Sequence, residues 1–195
     1  MAMELIQAAI RGATDGIDPI IIALFNIMGI WPLIYGGILL LDGKEQKIPS
    51  WIFVIASMGR GAFVLFPFLI IRKPTPNFSE EKGKFKQLVD SKWYGIILLI
   101  MSGAIIIPGF INGSWEAFSE AWKADTFVNV MSVDFLVLCF AFPILISEDI
   151  ERRNMQISVP KWVIFSIPLL GALIYLSMRK PLGEKGENEN LNEVS

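Results

Sequence analysis

The chain of 195 residues contains no histidine, one cysteine, three tyrosines and few charges for its length. Without histidine there is no Ser-His-Asp or Cys-His catalysis, no His-ligated zinc or non-haem iron, and no His-ligated haem. The lone Cys139 sits in an apolar block, which excludes an intrachain disulfide, a CxxC pair and a cysteine cluster. Charged residues make up 18% against about a quarter in a soluble domain, and the net charge of −2 gives no broad attraction for nucleic acid. No metal or cofactor set suggests itself.

What is abundant is apolar length. Mean hydropathy is +0.54, and nearly uncharged blocks alternate with short connections that hold the Lys, Arg, Asp and Glu. This pattern predicts an all-α integral membrane bundle of about five transmembrane helices, since roughly 20 apolar residues cross ~30 Å of hydrocarbon. The expected spans are Pro19–Leu41, Trp51–Ile71, Trp93–Ile111, Phe127–Ser147 and Trp162–Met178. Trp51, Trp93, Tyr94 and Trp162 stand at span starts, where amphipathic rings favour the headgroup level. Pro32, Pro67, Pro108, Pro143 and Pro168 put one proline in each span, more as helix benders than as the walls of a site.

Outside the five-helix domain of residues 19–178, residues 1–18 form an N-terminal segment, where Met3, Leu5, Ile6, Ala9 and Ile10 allow a surface helix or a frayed end. The polar tail 179–195, rich in Gly, Glu and Asn, is expected to be disordered. Trp115, Phe118 and Trp122, opposite Glu116, Glu120 and Lys123, predict a short amphipathic helix on the membrane surface or packed on the bundle. Between 72 and 92 the chain is basic and reads as a solvated loop, with Phe85, Leu88 and Val89 as a potential half-buried face. Ser147–Arg153 reads as a solvated helix end with i, i+4 pairs.

With five spans, ten Lys and Arg fall on the N-terminal side, at Arg11 and within 72–92 and 152–161. Six fall opposite, at Lys44, Lys47, Lys123, Arg179, Lys180 and Lys185. The positive-inside rule then predicts a cytoplasmic N-terminus and a C-terminus on the opposite side.

Arg60 carries the most information. A guanidinium in mid-span costs at least ~2.5–3.5 kcal/mol on insertion scales and must find protein or water. Ser57 and Gly61, four apart, let another helix approach. Asp134 is the only carboxylate within a span. Counted from Trp51 and Phe127 on parallel helices, the two lie ~13 and ~10 Å below one surface, so an Arg60–Asp134 ion pair is expected. The pair either fixes which helices adjoin or forms a functional site. Asn26 is the third intramembrane polar candidate, expected to bond another helix. The triplets at Asn77 and Asn112 match the glycosylation sequon by composition only, and Asp15 and Asp18 are too few to hold a cation.

Several segments together, Asp15–Pro19, Leu24–Tyr35, Leu41–Gly43, Gly61–Pro67, Ser132–Phe135 with Glu148-Asp149, and Leu169–Leu176, resemble an uncharacterised family of small polytopic membrane proteins of cyanobacteria and plastids. The resemblance covers about residues 14–181. It implies a thylakoid or plasma membrane in a photosynthetic organism and carries over no catalytic residues. The expected function is that of a non-enzymatic accessory or assembly factor, with membrane lipids and other membrane proteins as partners. The alternative is a small membrane enzyme acting on an isoprenoid, carotenoid or other lipid, with Asp134 and Arg60 at its site. A transporter ranks behind both, for want of internal repeats.

Overall fold

The computed structural model describes residues 16–41, 46, 48–73, 83–155, 167 and 169–182. Among these the chain is all-helical: α1 Pro19–Leu39, α2 Ser50–Arg60, α3 Ala62–Ile71, α4 Lys84–Asp90, α5 Lys92–Asn112, α6 Trp115–Ala124, α7 Thr126–Arg152 and α8 Leu170–Met178. Three of them, α1, α5 and α7, are long and apolar enough to cross a membrane. The expected surface helix at 3–10, Pro168 and the tail beyond 182 lie outside the described residues.

α1 is the axis of the bundle. Asp18 caps it by accepting a 2.8 Å hydrogen bond from Ile20 N–H, and Pro19 fills the first turn, where its missing donor costs nothing. Its far turns are largely enclosed: Trp31, Ile34, Tyr35, Ile38 and Leu39 are all fully buried. Trp31, Tyr35, Phe135 and Phe142 pack there as tilted and edge-on rings, and the Tyr35 hydroxyl donates to the Leu138 carbonyl at 2.8 Å.

Contacts along α1 fix the direction of its neighbours. Phe25 meets Phe127 near one end and Trp31 meets Phe142 further on, so α7 runs parallel to α1. α5 runs antiparallel: Tyr94, in its first turn, donates to the Leu33 carbonyl, while Ser114 beyond its last turn donates to Asp18. The bundle therefore has an Asp18 end, which also holds α6, and an Arg179 end.

The second apolar block departs from expectation. Its 21 residues do not form one continuous span. The helix breaks at Gly61 (φ 57°, ψ −141°), a backbone conformation open to glycine and strained for other residues. Beyond it α3 folds back along α2, with Phe53 stacked on Phe68 at 4.5 Å. Lys73 N–H bonds Gln46, and Arg72 pairs with Glu148 near the end of α7, so both feet of the hairpin stand at the Arg179 end. An 11-residue α2 rises only ~16 Å, half the hydrocarbon thickness. The physical cause is that mid-block glycine beside an arginine. A hydropathy average over 20 residues cannot distinguish two half-length helices from one full one.

The fifth block is described only in part. Of it, nine residues are described as helix, α8, which begins at Leu169 (φ 61°), buried in the core at the level of Leu138 and Cys139. Met155 and Lys180 touch at the Arg179 end, and Leu169 is buried further in, against the core around Cys139. Gly95 lets α8 come close to α5, since a Cβ there would lie 2.3 Å from the Leu176 carbonyl carbon.

Two further expectations change. Arg179 to Leu182 is not tail: Arg179 and Leu182 are buried, and Leu182 N–H donates to Asp90 at 2.7 Å. The connection before α5 is helical at α4, where Val89 is buried with Leu41 and Leu182 while Phe85 and Leu88 face outward. The amphipathic helix at Trp115 does form; Phe118 packs toward Ile21 and Val128 while Trp115 and Trp122 stay exposed, so it both packs on the bundle and presents an aromatic edge.

Candidate functional site

The hairpin tip brings the sequence candidates together in an arrangement other than the expected one. Arg60 ends α2, about 15 Å in from the Arg179 end, and Asp134 lies about 12 Å along α7 from the Asp18 end. They meet at mid-depth from opposite directions rather than below a common surface. Both line a 390 Å³ cavity with Asn26, Ser57 and Phe63.

No ion pair joins Arg60 to Asp134 among the described residues. Asp134 instead accepts from the Ala62 backbone N–H with both oxygens, at 3.1 and 3.2 Å. Gly61 is what aims that donor. Its left-handed φ turns the first N–H of α3 toward α7, and the carboxylate then takes up an otherwise orphaned donor and the positive end of the helix dipole. A Cβ on residue 61 would lie 2.0 Å from Asp134 Oδ2. Asn26 does not bridge helices; its side-chain amide donates to Ile22 in its own helix.

Comparisons with protein-family models, curated proteins and solved structures find no match.

An apolar groove of 600 Å³ adjoins the polar cavity between α3 and α7, and the two share Phe63, Val130 and Asp134. A separate, almost wholly apolar cavity of 710 Å³ lies between α1, α5, α6 and α7, edged by Phe110, Phe118 and Phe135.

A second polar constellation lies at the Arg179 end, where sequence reading placed only a solvated helix terminus. Arg153 pairs with Asp90 and Asp149, both at 2.8 Å, and Tyr175 donates to Asp149 at 2.8 Å. Arg179 donates to the carbonyls of Gly37 (2.7 Å) and Val89 (2.6 Å) and stands 3.6 Å from Asp149. All four charged side chains are essentially inaccessible. Burial, with Arg153 nearby, pushes the Arg179 guanidinium below its ordinary range, and Asp149 and Asp90 oppose that shift. The i, i+4 spacing of Asp149 and Arg153 was visible in sequence. Their burial was not, because it depends on Asp90, Tyr175 and Arg179 arriving from distant segments.

The tip geometry makes a prediction. Asp134→Leu removes the acceptor for α3 and is expected to cost about 1–3 kcal/mol, while Arg60→Met stays within about 0.5 kcal/mol. Unfolding of the single and double variants in detergent should give additive losses. Recovery of stability in the double variant would mean that the two side chains are ion-paired after all.

Proposed function

We propose that this chain is an integral membrane protein with three crossing helices and its Arg179 end in the cytoplasm. It serves as a non-enzymatic accessory or assembly factor in a photosynthetic membrane, through contacts with lipids and other membrane proteins. The distribution of polarity carries this reading. Outward faces of α5 and α7 are apolar through mid-length, with Ile97, Ile100, Ile107, Phe140 and Ile144 all more than half exposed. Such a continuous belt suits hydrocarbon or neighbouring helices. The photosynthetic address is supported by the sequence resemblance.

The proposed orientation is the reverse of that expected from five spans. With the hairpin folded back, Arg72, Lys73, Lys84, Lys86, Lys92, Arg152, Arg153, Arg179 and Lys180 share one end, and Lys123 alone among the described Lys and Arg marks the other. The positive-inside rule then favours a cytoplasmic Arg179 end, an N-terminus outside and a C-terminus inside.

Single cysteines at Ile48, Lys84 and Lys123, in a Cys139→Ser background, test the layout with a membrane-impermeant maleimide. Positions 48 and 84 are expected to label from one side and 123 from the other. Labelling of 48 and 84 from opposite sides would restore a continuous second span. For the function, purification from native membrane in mild detergent is expected to bring down a stoichiometric membrane-protein partner. A chain that purifies alone and converts its bound lipid would favour the enzyme alternative.

A further inference from the structure

We propose that the hairpin tip binds the carboxyl head of a long-chain fatty acid, held between Arg60 and Asp134 with one proton shared between the two carboxyl groups. The acyl chain lies in the groove between α3 and α7. This inference rests on the membrane reading above.

Charge leads to the ligand. Arg60 is exposed at mid-depth with no hydrogen-bond or ion-pair partner among the described residues. A guanidinium there is costly unless something answers it. The carboxylate in the same cavity is engaged with Ala62 N–H, yet its two oxygens have capacity for further bonds. An occupant of the cavity must therefore offer acceptors to Arg60 and a shared proton to Asp134. It must also leave the whole site neutral, since a net charge at this depth is unfavourable. A carboxylic acid meets all three conditions. Two carboxyls, one proton and one guanidinium sum to zero, whichever carboxyl holds the proton. An alcohol also leaves the site neutral, but it offers the planar guanidinium a single oxygen where a carboxyl offers two. The free acid enters as carboxylate plus one proton from water, so no other co-reactant is needed.

Shape agrees with charge. The cavity at Arg60 and Asp134 adjoins the apolar groove, sharing Phe63, Val130 and Asp134 with it, and the groove runs along α3 from Ala62 to Ile70, about 12 Å. Phe63 and Ile70 are 74% and 82% exposed, so the groove is open sideways, where a single chain can enter from the bilayer. Phe66, Pro67, Val133 and Val137 give it apolar walls.

The full chain in phosphatidylcholine vesicles, with a diazirine-bearing palmitic acid as probe, provides the test. Photolabelling is expected on α3 and α7, at least tenfold weaker in Arg60→Met, partly restored in Arg60→Lys, and unchanged in Phe118→Ala, which alters the separate apolar cavity. Because one proton accompanies each ionised acid bound, affinity in the native chain should fall about tenfold per pH unit where the free acid is ionised. Asp134→Asn keeps an acceptor for Ala62 but cannot share that proton, and its affinity should be flat over the same range. Labelling indifferent to Arg60, equal labelling by the matching long-chain alcohol, or a native affinity flat with pH would each overturn the proposal. Carbonate washing of the same vesicles separates the two ideas. A chain that washes off fails as a membrane protein, whereas one that stays but takes no label fails only as a fatty-acid site.

Discussion

Replacing Asp149 with leucine is expected to cost about 3–5 kcal/mol, because it strands Arg153 and Arg179 in a place water does not reach. Asp149 accepts from both Arg153 and Tyr175 and balances Arg179, and each of those side chains is buried. Asp90 would remain as the single carboxylate against two guanidinium groups. The loss should appear as a lowered denaturation midpoint in detergent and as reduced accumulation in the cell. Pairing Asp149→Leu with Arg153→Met should recover part of it, since the second change removes one of the stranded charges. A loss under about 1 kcal/mol for Asp149→Leu would show that water reaches the cluster. Functionally, the cluster ties the ends of α1, α4, α7 and α8 into one cap.

Gly61→Val is expected to be comparably damaging, on the order of 3 kcal/mol or more, and for a different reason. Backbone strain at this φ and ψ accounts for about 1–3 kcal/mol. The added Cβ also falls on Asp134 Oδ2, so the carboxylate must leave Ala62 and α3 loses its cap. The paired control is Gly59→Val, two residues away, where an added Cβ meets no atom within 4 Å. Equal behaviour of the two variants in thermal unfolding would mean that the hairpin tip is not built as described.

The helical class, the boundaries of α1, α5 and α7, and the short α6 were all legible in the sequence, because each rests on local signals. Asp18-Pro19 starts α1, an uncharged run of hydrocarbon length follows, and aromatic spacing marks α6. Arg60, Asp134 and Asn26 are conspicuous as polar groups in apolar blocks; the structure places all three around one cavity, Asn26 included, which was expected to bond another helix. Their bonding was not legible there, because Arg60 and Asp134 lie below one common surface only if Trp51–Ile71 runs straight through, and the chain reverses at Gly61. The cue was present in Gly61 beside Arg60, but it looks the same whether a glycine serves close helix packing or a reversal. The Arg179 cluster was illegible for another reason. A terminal arginine after an apolar run reads as a stop signal, and only the arrival of residues 37, 89 and 149 around it turns it into core.

If the chain sits in a membrane as proposed, the hairpin has a consequence for biosynthesis. A segment that enters and leaves by the same face asks the insertion machinery to carry nothing polar to the far side. Arg72 and Lys73 stay where they are made, and Arg60 travels half the distance a crossing charge would. Between α1 and α8, the only described Lys or Arg that must be moved across is Lys123, carried in the short stretch between α5 and α7. The translocation work is thereby concentrated in a single helical pair, α5–α7.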